Sequence, residues 1–120
     1  MPERILVAVP DLLLQSRITA AACALEFEVA IGDSDATALA ALDPAPSLVV
    51  VDLQAAGINA GALIAAAKAA GAAVLAFGRH TEPLALRAAR AAGADRAVAR
   101  SELVEQLPEL LTQYGAAKPR

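Results

Sequence analysis

The stretch Pro46-Ser47-Leu48-Val49-Val50-Val51-Asp52-Leu53 decides the fold. Leu48 to Val51 is a short apolar run dominated by β-branched valine. That length and composition suit a strand, and apolarity at successive positions suits one buried on both faces. The run ends on an acid, so a carboxylate stands where the strand leaves the core.

Four other runs of the same kind lie outward from it: Ile5–Val9 and Phe27–Ile31 before, Ala73–Phe77 and Arg96–Ala99 after. Helix-like stretches fill the gaps. The first begins around Asp11 and places Leu14, Ile18, Ala21 and Leu25 on one face. The second starts behind Ser34 or Asp35 and stops before Asp43-Pro44-Ala45-Pro46. The third follows Asn59 as N-cap and stops at Gly71. Thr81 is expected to cap the fourth, with Pro83 in its first turn and Gly93 at its end. Ser101 is expected to cap the fifth, which Pro108 should kink or restart. Strand and helix thus alternate five times, which implies parallel strands, right-handed crossovers and helices on both faces. At this length the expected architecture is a flavodoxin-like three-layer α/β sandwich, with strand order 2-1-3-4-5 and five helices. Residues 1–114 form the domain and 115–120 a frayed tail.

Composition narrows the function classes. The chain has 120 residues and a hydrophobic fraction of 58%, but roughly a quarter of it is alanine, which indicates close packing and not a membrane segment. The longest weakly charged stretch, 53–78, is broken by Lys68, Gln54, Asn59 and several glycines, and Pro10 and Asp11 interrupt any leader-like run. With one cysteine there is no intrachain disulfide, and Cys23, among alanines, reads as a small buried hydrophobe. The expected compartment is the cytoplasm. A net charge of −3 argues against a nucleic-acid binder. Charge is uneven: residues 1–60 carry two basic and eight acidic side chains, residues 61–120 eight basic and five acidic. Contact between opposite halves of two copies, a homodimer, is therefore expected to be charge-steered.

The segment 46–53 and the turn Ala92-Gly93-Ala94-Asp95, at these spacings in this βα order, resemble a response-regulator receiver domain of the CheY-like type. The resemblance covers nearly the whole chain. It implies a phospho-accepting aspartate at Asp52, a divalent cation held by acids after the first strand, and a hydroxyl and a lysine that contact the phosphate. The match is partial. Asp11 is a single acid, Gly78 stands at the hydroxyl position, and Arg100 stands at the lysine position with Ser101 following. Arg is not a neutral exchange for Lys, because its planar fork favours bidentate oxyanion partners. After Asp52, Ala55-Ala56 and Asn59-Ala60 replace the usual residues.

The candidate site residues are therefore Asp52 as phospho-acceptor, Asp11 and Asp52 as metal ligands, and Gly78, Arg79, His80 and Arg100 as an anion-binding crevice. Arg100 is expected to reach Asp52 and replace the cation. The expected function is a stand-alone, pseudo-receiver signalling or adaptor domain. It is expected to act through an unidentified protein partner, without enzymatic activity, cofactor, membrane or nucleic acid. A stripe of Leu84, Arg87 and Ala91, near Arg90 and Arg96, is its expected contact surface. One alternative is a conventional phosphorelay receiver that uses Mg²⁺. Another is a module binding an anion or small ligand.

Overall fold

The computed structural model of the chain describes residues 3–115. Five parallel strands form one sheet: β1 (Arg4–Ala8), β2 (Glu28–Ile31), β3 (Leu48–Asp52), β4 (Ala73–Gly78) and β5 (Arg96–Ala99). Their order is β2-β1-β3-β4-β5, with Ile5 opposite Leu48 and Asp52 opposite Phe77. Six helices cover the two faces: α1 (Leu12–Ala24), α2 (Asp35–Ala40), α3 (Ala60–Ala69), α4 (Pro83–Ala92), α5 (Arg100–Glu105) and α6 (Leu107–Gly115). The flavodoxin-like order is as expected, and the helix count is six instead of five. Gln106 leaves the helical region, and Pro108, which has no N–H to give, sits in the first turn of the restarted helix.

Strand alternation separates two cores. Ile5, Val7, Leu48, Val50, Leu75 and Phe77 pack against Leu14 and Ile18 of α1, Leu103 of α5 and Leu107, Leu110 and Leu111 of α6. Leu6, Ala8, Val49, Val51, Val74 and Ala76 pack against α2, α3 and α4 through Ala38, Leu63, Ile64, Ala67 and Ala89. Alanine supplies much of the second core, from Ala8 and Ala76 in the strands to Ala38, Ala67 and Ala89 in the helices. Small side chains let these helices sit close to the sheet.

Several local expectations change. The buried stripe of α1 is Leu14, Ile18 and Ala22; Ala21 is only partly covered, and Leu25 is the exposed C-cap. Cys23, one position beyond Ala22 and so about 100° round the helix, is exposed, not buried. β2 is an edge strand, so Glu28 and Ile31 are exposed and its apolar run is not buried on both faces. Asn59 caps α3 and Ser34 caps α2 as expected. Thr81 and Ser101 do not cap. α4 starts behind Glu82, with Pro83 fixing its first turn, and α5 starts directly behind β5 with Ala99 at the N-cap. Gly93 ends α4 at φ 117, a backbone value that favours glycine. Gly115 still belongs to α6, where it packs against the Phe27 ring, and residues 116–120 of the expected tail lie outside the described residues.

Candidate functional site at the carboxyl ends of the strands

The point where the strand order reverses, between β1 and β3, opens a crevice at the carboxyl edge of the sheet. Its volume is about 190 Å³, and Asp11, Asp52, Gln54, Phe77, Gly78, Arg79 and Arg100 line it. Each arrives by local necessity. Asp52 is the last residue of β3, a strand buried along its whole length, Gly78 the last of β4, and Arg100 the first residue after β5. Asp11 follows Pro10 and caps α1.

Asp52 is 7% exposed and is the one buried polar or charged side chain among the described residues. Its Oδ1 accepts a hydrogen bond from the Gln54 backbone N–H at 2.9 Å. Burial pushes its pKa above the usual carboxylate value, opposed by that N–H and by the nearby charge of Arg100. Asp11 is the reverse case. Its Oδ1 accepts from the N–H groups of Leu13 and Leu14 at 3.0 and 3.2 Å, and its Oδ2 accepts from Arg100 Nη2 at 2.9 Å. The bond from Arg100, followed by the cap, holds the Asp11 carboxyl below its usual value.

Arg100 therefore bonds to Asp11 and not to Asp52 as expected; its effect on Asp52 is through space. The reason is depth. Both partners of the observed pair keep nearly half of their side-chain surface in water, whereas a guanidinium brought onto Asp52 would have to be stripped of solvent.

Gln54 is absent from the residues the sequence singles out, yet it organises the crevice. Its Oε1 accepts from the Arg79 N–H at 2.9 Å, tying the loop after β3 to the loop after β4. A Cβ on Gly78 would lie 2.7 Å from that same Oε1. The carboxamide thus stands in the space a hydroxyl side chain at residue 78 would need. Its signal in the sequence is a polar residue two positions past the strand-ending acid, set between the apolar Leu53 and Ala55.

His80 lies outside the crevice. It lines a neighbouring groove of about 500 Å³ with Arg79, Thr81, Arg100, Ser101 and Val104. The donor set does not suit a Mg²⁺ ion, which wants several oxygens in near-octahedral array. Both Asp11 oxygens are already bonded, and no cluster of three metal-ligating side chains exists among the described residues.

No protein-family model and no curated protein matches the chain. Solved structures do. NtrX from Brucella abortus aligns with 95% of this chain and 27% of its own, at 21% identity and a TM-score of 0.83, so the chain spans about a quarter of that protein. The phosphorylated cyanobacterial phytochrome response regulator RcpA aligns over the whole of both chains, at 14% identity and a TM-score of 0.83. A CheY-like receiver domain protein from Methanospirillum hungatei JF-1 aligns with 95% of this chain and 97% of its own, at 19% identity and a TM-score of 0.77. The chain has the receiver fold. No helix among the described residues is long and apolar enough to cross a membrane.

Proposed function

We propose that this chain is a receiver-like signalling domain that conveys its message through protein contacts and does not depend on phosphorylation of Asp52. The observation that carries the reading is the state of its two crevice carboxylates. Asp11 is consumed by a helix cap and by Arg100, and Asp52 is sunk in the sheet with its pKa raised. A carboxylate that attacks a phosphoryl group needs a counter-charge on the incoming oxygens, and a cation bound by neighbouring acids ordinarily supplies it. Here no cluster of three metal-ligating side chains exists among the described residues to hold such an ion, and the Gln54 carboxamide occupies the space beside Gly78 that a hydroxyl side chain would take. The phosphorylated state recorded for RcpA belongs to that protein.

The contact surface is on α4. Leu84 is 74% exposed, and Arg87 and Ala91 are exposed beside it, so an apolar contact flanked by a cation faces outward. The direct test is incubation with acetyl phosphate and Mg²⁺ followed by intact-mass measurement under denaturing conditions. The expected result is no covalent adduct. A stoichiometric phosphoryl adduct that disappears in Asp52→Ala would establish the conventional receiver instead.

A further inference from the structure

We infer that the groove between the β4–α4 and β5–α5 loops is a binding site for an organic phosphomonoester. It is separate from the Asp52 crevice, shares only Arg79 and Arg100 with it, and does not depend on the reading of Asp52 given above.

Three observations carry the assignment. The groove gathers donors: two guanidinium groups, the His80 ring and the hydroxyls of Thr81 and Ser101 all line it. Among the described residues the Arg79 guanidinium, the His80 ring and both hydroxyls make no hydrogen bond or ion pair. Only Arg100 is engaged, through one nitrogen on Asp11. Four unpartnered donors around one concavity, with a fifth beside them, is the arrangement an oxyanion would satisfy.

The groove also lacks acid. The chain has 13 acidic side chains against 10 basic ones, yet none lines this groove. Glu102, next to Ser101 in sequence, is turned away to Arg96 at 2.9 Å. With Arg100 paired to Asp11, the Arg79 guanidinium is the uncompensated charge of a lining without carboxylates, which favours an anion there.

The size and wall fix the rest. About 500 Å³ lies within the ordinary range of small-molecule sites and exceeds what a bare oxyanion would fill. Val104 and the arginine stems give the wall an apolar part against which an organic group can rest. Guanidinium forks and hydroxyls together suit the three terminal oxygens of a phosphate better than the two of a carboxylate.

The test is calorimetric titration at low salt with adenosine 5′-monophosphate and glucose 6-phosphate as probes, and adenosine and glucose as uncharged controls. At least one phosphomonoester should bind saturably, one per chain, with inorganic phosphate competing and the controls silent. Arg79→Ala and Thr81→Val should each weaken binding, the arginine variant by about tenfold. Amide NMR should place the perturbed signals at residues 79–81 and 101. Both side chains are exposed, so the variants should keep the wild-type melting curve; His80→Ala serves if either does not. No saturable binding of either probe up to about 10 mM, a range of affinity below any useful site, would overturn the assignment, as would binding unchanged in Arg79→Ala. Because the phosphorylation test reads a covalent mass and this one reversible occupancy, either can fail alone.

Discussion

Nη2 of Arg100 lies 2.9 Å from Oδ2 of Asp11, joining residues 89 positions apart across the mouth of the crevice. The bond links the acidic first half of the chain to the basic second half, and it leaves Asp52 below with no ion-pair partner among the described residues. Both Asp11 oxygens are engaged, Oδ1 by the first turn of α1 and Oδ2 by Arg100.

Removal of that bond should be read as a pH-dependent loss. The folded pKa of Asp11 is depressed, so its contribution is present above the unfolded carboxylate value of about 4 and fades as pH falls through the lower folded value. Arg100→Ala should therefore melt earlier than wild type at pH 7, and the gap should narrow in acid. Because the pair is exposed, about 0.5 M salt should narrow it too. Thermal melts over a pH and salt grid measure this; a gap that stays constant in acid would contradict it.

Asp52 should behave in the opposite sense. Its folded pKa is raised, so the ionised native state is penalised: the penalty is absent below about pH 4 and complete above the folded pKa. Asp52→Asn keeps an oxygen for the Gln54 N–H and removes the buried charge. It should raise the melting temperature at pH 7 and lose that advantage in acid. A destabilised variant at neutral pH would show that the carboxylate is held by attraction and not tolerated against desolvation.

Gln54 and Gly78 should be coupled. Gln54→Ala removes one acceptor from the Arg79 N–H, a cost of about 1 kcal/mol. Gly78→Ser places a Cβ against Oε1 of Gln54, the free end of an exposed flexible side chain, and should cost a comparable amount by displacing the same acceptor. In the double variant the serine finds the space vacated, so the two costs should fall short of additivity by about 0.5–1 kcal/mol. Urea unfolding of the four proteins gives the cycle, and strict additivity would mean the two side-chain positions do not compete.

Self-association should be weak and charge-steered. Exposed Glu28 in β2, and Glu26 in the turn before it, lie at one edge of the sheet, and α4, which carries the exposed Arg87 and Arg90, packs beside β5 at the other. Sedimentation velocity at about 20 mM and 300 mM salt should show association that weakens as screening shortens the reach of these charges. Leu84→Ser should reduce contact through α4 while changing stability by less than about 0.5 kcal/mol, since that side chain is largely exposed. A monomer at high concentration in both buffers would leave a different protein as the reader of this face.

The amino-acid sequence by itself determined the five strands, their parallel order and most of the helix ends. Apolar period, β-branching and capping residues act over a few neighbours, and those neighbours are adjacent in the chain. Asp52 at the end of β3 and the lone Asp11 after β1 were legible for the same reason. Tertiary structure alone decided what these residues do to one another. Whether Arg100 turns to Asp11 or to Asp52 depends on relative depth in water, which pairing order does not specify. The role of Gln54 depends on two loops 25 residues apart meeting where Gly78 leaves room. The phosphomonoester groove depends on which side of α5 Glu102 faces. Competition between solvation and contact across distant segments settles each of these, and it acts only once the sheet has brought them together.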